Sequence, residues 1–390
     1  MARPANPAGP VTAPEARLRL YFFVQFLSVG LVNAYSGLWF AHKGLDAVQI
    51  GLIGAAPIVL LFFVTLFVGR LADRARDWGQ VIRLGSLAAA LFAAGLFGAE
   101  GFVAILILWA LTAGAQRVVV PVTDAAAIRM LRRRGAEFGP FRALSTIGYL
   151  LAVGGVGFVM GQDRIDLFLP LFVGFCVLRA VAAFGLPPMR DPGQPRTSRT
   201  IWQGFPQMWK AWFVLPLLAW AFIDSNHMIL NSFQGLLWAE QGIGTSTIGI
   251  LIVLGALAET IMFFGFRRIA ARWPPLTLLM IAALASILRW TAMSMAPGVP
   301  ILIGLQMLHA LTYAMGFLAI TNFIADRTDE SDAAEAQSFL VVIELALSAG
   351  IVVFFGMIAE WAGAGAYLFS AALAVAGAIS ILAAMRKIPD

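Results

Sequence analysis

Ala41-His42-Lys43-Gly44-Leu45, followed by Ile50-Gly51, returns 198 residues further on (41 to 239) as Ala239-Glu240-Gln241-Gly242-Ile243, followed by Ile248-Gly249. The same offset lays Arg70, Leu71, Ala72 and Arg74 on Arg268, Ile269, Ala270 and Arg272. It also lays Thr123-Asp124 and Arg129 on Thr321-Asn322 and Arg327. Three separate segments agreeing on one offset mark an internal duplication. Each is a polar break between long apolar runs, so the chain reads as one plan used twice.

The apolar runs identify the medium. Of 390 residues, 60% are hydrophobic and only 12% charged, too few charges to cover the surface of a water-soluble chain of this length. A bilayer core of about 30 Å needs roughly 20 apolar helical residues. Twelve runs reach that length: 18–40, 48–69, 80–99, 101–124, 141–161, 165–186, 211–237, 247–267, 276–295, 300–323, 337–358 and 365–385. Lipid satisfies no exposed backbone group, and most runs are too long for barrel strands, so they are helices. The expectation is an all-α polytopic membrane protein with twelve transmembrane helices in two six-helix pseudo-repeats, an N-terminal bundle over 18–186 and a C-terminal bundle over 211–390. Residues 1–17 read as a cytoplasmic tail, because the run that follows is too long for a signal peptide and has no small-residue cleavage site. Residues 187–210, which include PPMRDPGQPRTSR, read as a cytoplasmic linker.

Positive charge sets the orientation. With the N-terminus in the cytoplasm, 22 of the 27 Lys and Arg residues fall on the cytoplasmic face and only Lys43 and Arg164 on the other. That asymmetry places both termini in the cytoplasm of a multi-pass membrane protein. Trp78, Trp202, Trp209, Trp212 and Trp273 gather near the cytoplasmic interface, and Trp39, Trp238 and Trp361 near the outer one. The basic residues are short clusters between apolar segments, which argues against nucleic acid as a partner. Cys176 is the one cysteine and excludes an intramolecular disulfide framework. Three histidines leave little for a metal centre, so neither metal nor cofactor is expected. No H-E-x-x-H, G-x-S-x-G or Gly-rich phosphate loop is present, which makes an intramembrane enzyme a remote alternative.

An ionisable side chain within a span costs at least a few kcal/mol and marks function by default. In the C-terminal half these are Asp224 and His227 on span seven, Glu259 on span eight, Arg289 on span nine, His309 on span ten and Glu344 on span eleven. In the N-terminal half they are Arg117 and Asp124 on span four, with Arg142 opening span five. Arg179 lies close enough to the cytoplasm to snorkel and reads as structural. On a regular helix Asp224, His227, Asn231 and Gln234 form one polar stripe at i, i+3, i+7 and i+10, which lines either a cavity or a seam of interhelical hydrogen bonds. A carboxyl balanced between desolvation and a guanidinium can take up and release a proton, which makes Glu259 a proton carrier that His309 could tune; the alternative is a static ion pair. Arg117, Pro121 and Asp124 share a face at i, i+4 and i+7. Asp124 and Arg142 could meet across the next turn, as a substrate contact or as a bridge that seals the inward gate.

The loop after span two, Gly69-Arg70-Leu71-Ala72-Asp73-Arg74-Ala75-Arg76, resembles the G-x-x-x-D-[RK]-x-[GR]-[RK] signature of the major facilitator superfamily. Within it the chain is similar, over nearly its whole length, to the phenylpropionate permease branch. The residues that carry this are Pro121-Val122-Thr123-Asp124-Ala125, Phe138-Gly139 then Arg142, His227, Ala258-Glu259, Leu288-Arg289-Trp290, and Gln306-x-Leu308-His309 with Thr312. That branch is similar in turn to lactose-permease-type proton symporters. The resemblance implies the major facilitator fold, a substrate site at the midplane between the halves, and alternating access by a monomer. It implies proton-coupled symport of a small organic solute, an aromatic or other carboxylic acid such as 3-phenylpropionate. Efflux by proton antiport and sugar-type symport are the alternatives. Glu259, Arg289 and His309 would couple the proton, with Asp224 a further candidate acid. Asp124 and Arg142 would serve the substrate or a gate, beside a cavity lined by Arg117, His227, Asn231 and Gln234. Gly69, Arg70, Asp73 and Arg74 would form the cytoplasmic gate motif. In three places the chain departs from these patterns. Thr312 stands where the lactose type has a carboxylate, Ser145 where the branch has Gly, and Asp224 belongs to neither pattern.

Overall fold

The computed structural model describes residues 13–74, 77–136, 138–161, 164–189, 209–270, 272–328 and 330–387, with the side chains at 13, 62, 64–74, 129, 132, 139, 267, 270 and 330–335 outside that description. Most of the 187–210 linker, and the side chains of Gly69, Arg70, Asp73 and Arg74, therefore fall outside the described residues. The backbone at those four positions is helical.

Every apolar run is a helix. In chain order the spans are Pro14–His42, Ala47–Arg74, Trp78–Gly98, Gly101–Arg133, Gly139–Met160, Ile165–Phe184, Ala211–Glu240, Thr245–Ala270, Pro275–Met293, Val299–Arg327, Glu330–Ala362 and Tyr367–Met385. Among the described residues there is no strand. Several spans overrun their apolar stretch: span four continues to Arg133 and span eleven starts at Glu330. Backbone hydrogen bonding carries a helix on past the lipid, whereas hydropathy reads only the lipid-compatible part. Pro57, Pro121 and Pro216 sit inside spans two, four and seven, where neighbouring helices can compensate the freed backbone groups.

The duplicated segment at 41 and 239 is a helix stop made twice. Gly44 has φ 79° and Gly242 φ 80°, a left-handed geometry that costs glycine little. In the first copy the Gly44 N–H donates to Ala41 O and Leu45 N–H to Phe40 O; in the second Gly242 N–H donates to Ala239 O and Ile243 N–H to Trp238 O. This is the same C-terminal cap in both copies, with the glycine at C′ and an aliphatic residue after it. Asp46 then restarts the chain with a reciprocal cap: Gln49 N–H donates to Asp46 Oδ1 at 2.7 Å and Asp46 N–H to Gln49 Oε1 at 3.2 Å.

The described chain packs as two compact units. The first draws on Met1–Val32, Leu60–Val156 and Asp166–Arg199; span three packs on spans four and six, and span one on span six. At its centre Gln116 ties three spans together. It accepts from Ser28 Oγ at 2.9 Å and donates to Cys176 Sγ at 3.2 Å, and its backbone carbonyl takes a bond from Arg179 Nη2 at 3.2 Å. Arg179 is 0% exposed and also donates to Tyr21 Oη at 3.4 Å. Its head is thus held inward by hydrogen bonds, which corrects the snorkelling expected from its position.

The second unit comprises Asn33–Val59, Gly157–Ile165 and Thr200–Asp390. Span seven packs on spans eleven and twelve, span nine on spans ten and twelve, and span eight on span ten. The ends of spans one and two nearest Lys43 belong here too. Ser36 Oγ donates to Asn231 O at 3.2 Å, and Ala47 N–H donates to Glu360 at 2.7 Å. Gly37 lies so close to the Ser232 carbonyl that a Cβ there would overlap it.

Candidate functional site

Two π turns interrupt the second unit, at Leu230–Gln234 in span seven and Ala310–Met315 in span ten. Each begins within three residues of a histidine, His227 and His309. A π turn inserts one extra residue into a helix and re-aims the side chains around it, and such turns favour functional sites. It also breaks the straight stripe expected on span seven. His227 enters the polar network. Asn231 and Gln234 lie beyond it, in the turn that meets Ser36 and Gly37.

The network is rooted at Arg289, which is 0% exposed. Its Nη1 donates to His309 Nδ1 at 3.0 Å and to Thr312 Oγ1 at 3.1 Å, and its Nη2 to Gln306 Oε1 at 2.7 Å. Arginine has only donors, so His309 Nδ1 must accept. In the neutral ring the proton then sits on Nε2, which faces Glu259 Oε2 at 3.5 Å. On the other branch His227 Nδ1 lies 2.9 Å from Ile223 O, which can only accept, so that nitrogen carries the proton. His227 Nε2 is left to accept from Thr312 Oγ1 at 3.1 Å. The donors thus run outward from Arg289, one way to Glu259 through His309 and the other to His227 through Thr312, whose hydroxyl also lies 3.4 Å from the His309 carbonyl. Tyr313 is stacked on His309 at 5.6 Å and packed 5.2 Å from His227, holding both rings in place.

The position where the lactose type has a carboxylate is thus the branch point of the network. Thr312→Val preserves shape but leaves one Arg289 N–H and His227 Nε2 unpaired. An unmade buried bond costs about 1–3 kcal/mol, so thermal unfolding should fall by several degrees. Thr312→Ser should stay within about one degree of the parent. Equal behaviour of the two variants would remove the hydroxyl from the network.

The remaining acids occupy separate places. Glu344 accepts from Trp220 Nε1 at 2.7 Å, and Ser348 Oγ, one turn on, donates to Ser225 Oγ at 3.1 Å. These bonds fasten span eleven to span seven. Asp224 adjoins them, within electrostatic reach of Glu344 and Tyr313. It makes no hydrogen bond among the described residues. In the first unit, Asp124 and Arg142 interact electrostatically but make no hydrogen bond to each other among the described residues; Asp124 Oδ1 and Arg142 Nη1 are buried without a hydrogen-bond partner, and the Arg142 guanidinium lies 4.7 Å over the Phe26 ring. Arg117 is half-buried and makes no hydrogen bond or ion pair to a described residue. Sequence reasoning missed Gln306, Tyr313 and Trp220 as site partners, since an amide or aromatic residue within a span carries no signal of its own.

Twelve apolar spans, with a network of charged and polar side chains buried in the second unit, are the architecture of a transporter of the major facilitator type. The sequence model of the MFS_1 like family matches residues 16–370, and the chain belongs to that family. It is 27% identical over 375 residues to the "Probable 3-phenylpropionic acid transporter" of Escherichia coli (strain K12), covering 92% of this chain and 94% of that protein. It is also 27% identical over 288 residues to the maltose permease of Geobacillus stearothermophilus, 71% of this chain and 70% of that one. Among solved structures it matches the nucleoside transporter NupG with a TM-score of 0.81 at 16% identity, over 95% and 98% of the two chains. A bacterial homologue of the human lysosomal transporter Spinster, inward-facing and occupied, matches at 0.74 and 15%, over 96% of each. These relatives are transporters rather than enzymes, and the structural matches share the fold.

Proposed function

We propose that this protein is a proton-coupled symporter of the bacterial inner membrane, monomeric, with both termini cytoplasmic. It takes up a small organic acid, aromatic or otherwise, of the 3-phenylpropionate kind. The observation that carries this reading is the directed chain Glu259–His309–Arg289–Thr312–His227. It joins a carboxyl to an arginine through a histidine that relays donor and acceptor roles, which is what reversible proton binding linked to a distant change requires. Asp224 is a second candidate acid. The solute carboxylate falls to the first unit, where Arg117 and Arg142 have unused donors, with Asp124 to orient the solute or close a gate. His227, Asn231 and Gln234 are assigned to the cavity, and Gly69, Arg70, Asp73 and Arg74 to the cytoplasmic gate. The moving parts are the six-helix halves 18–186 and 211–390, joined by 187–210. The phenylpropionic relative supports an acid as solute; the maltose permease relative favours sugar symport as the second reading.

External pH is recorded on de-energised proteoliposomes given a panel of 3-phenylpropionate, related aromatic acids and small sugars. Alkalinisation on adding an acid supports the proposal, and on adding a sugar alone favours the second reading. Acidification would mean antiport, and solute entry without any pH change would remove proton coupling.

A further inference from the structure

Among the described residues of the second unit, seven buried polar atoms have no hydrogen-bond partner: Thr245 Oγ1 at the start of span eight, and a group of six on three other spans. The six are Asn226 Oδ1 on span seven, Ser286 Oγ, Arg289 Nε and Trp290 Nε1 on span nine, and Tyr367 Oη and Ser370 Oγ on span twelve. None of these residues is more than 1% exposed. Unpaired buried groups are rare in a packed interior, so six on three touching helices need a cause.

The geometry joins them. Ser286, Arg289 and Trp290 share a face of span nine at i, i+3 and i+4, and Tyr367 and Ser370 share one of span twelve at i and i+3. The Trp290 and Tyr367 rings stack at 5.6 Å and 7°, and Asn226 Nδ2 donates to Ser370 O at 3.1 Å. The Arg289 guanidinium lies 4.8 Å from the Trp290 ring centroid and interacts electrostatically with Tyr367.

Their chemistry is weighted to donors. Arg289 Nε and Trp290 Nε1 can only donate and the three hydroxyls also can, whereas Asn226 Oδ1 alone must accept. Three of the four Nη N–H groups of Arg289 go to His309, Thr312 and Gln306, none of them an anion. Glu259 reaches it only through His309. A guanidinium deep in a membrane protein without an anion in contact is costly. Water would satisfy the donors and the acceptor but leave the charge unmatched.

We propose that the five donors among these groups, on spans nine and twelve, bind a small monovalent inorganic anion of the chloride type, the counter-ion of Arg289. The site shares only Arg289 with the proton relay and stands whichever solute is carried.

The full-length protein in detergent is unfolded thermally at constant ionic strength while sodium gluconate is replaced by sodium bromide. A saturating rise of about 3 °C or more is expected, reproduced by chloride. The Tyr367→Phe/Ser370→Ala double variant should need about tenfold more bromide for half the rise. Coincident gluconate and bromide curves for the parent protein would mean that water fills the site, and would overturn the proposal. An undiminished response of the double variant would overturn it as well. Should that variant fail to fold, crystals of the parent grown in bromide decide: anomalous density among Arg289, Trp290 and Ser370 is expected, and its absence refutes the site.

Discussion

Glu259→Gln is expected to abolish accumulation of solute against a gradient while exchange at equilibrium survives in part. The substitution keeps the size and the hydrogen-bonding reach of a side chain that sits 3.5 Å from His309 Nε2, and removes only its ability to take and release a proton. A proton carried with a monovalent carboxylate moves no net charge, so the pH gradient drives accumulation, and one unit of pH supplies about 1.4 kcal/mol, equivalent to a concentration ratio of about 10. In proteoliposomes holding a gradient of about one pH unit, the accumulation ratio should therefore fall from about 10 towards unity. Counterflow of labelled against unlabelled solute should persist, because substrate binding and the conformational cycle do not need that proton. Full uphill uptake by the variant would exclude Glu259 as the coupling acid.

The second large effect concerns the packing near Lys43. Gly37 on span one meets the Ser232 carbonyl in the π turn of span seven, with no room for a side chain, and Ser36 donates to the adjacent Asn231 O. Gly37→Val puts a branched side chain against backbone, which cannot rotate away. Overpacking of this kind costs about 1–3 kcal/mol, enough to shift a packed-to-open equilibrium by about tenfold or more. Hydrogen exchange should accordingly speed up by about tenfold at residues 34–38 and 229–236 and stay unchanged around Gln116. Unaltered exchange at 229–236 would mean that span seven yields locally, and that the contact does not hold this end together.

What the sequence revealed, and what it hid, follow from the range of the interactions. Hydropathy and charge are summed along the chain, so the spans were legible, and so were the isolated ionisable residues that lipid would reject. The repeated Gly44 and Gly242 were visible as a pattern, and the structure gives that pattern its cause in a shared helix cap. The π turns were not legible, because one inserted residue leaves the hydrophobic content of a helix unchanged; hence Asn231 and Gln234 are turned relative to His227 from where a regular helix would set them. Arg179 was misread for a related reason. Distance from the end of a span suggested a head in water, whereas the Gln116 carbonyl and Tyr21 hold it inside. Thr312 stood out as part of one family pattern and as a departure from another, without a role of its own. Its place between two arms of a network depends on which helices touch, and single-chain periodicity does not contain that.

Cys176 carries a practical consequence for spectroscopy. Its thiol is the one sulfhydryl in the chain, 1% exposed and engaged by Gln116 Nε2 at 3.2 Å. A folded molecule with its own thiol so sheltered offers an optically silent background. A fluorophore or spin label attached to a newly introduced surface cysteine would report from that position alone, so pairs of labels can follow the transport cycle without altering the native sequence around Gln116.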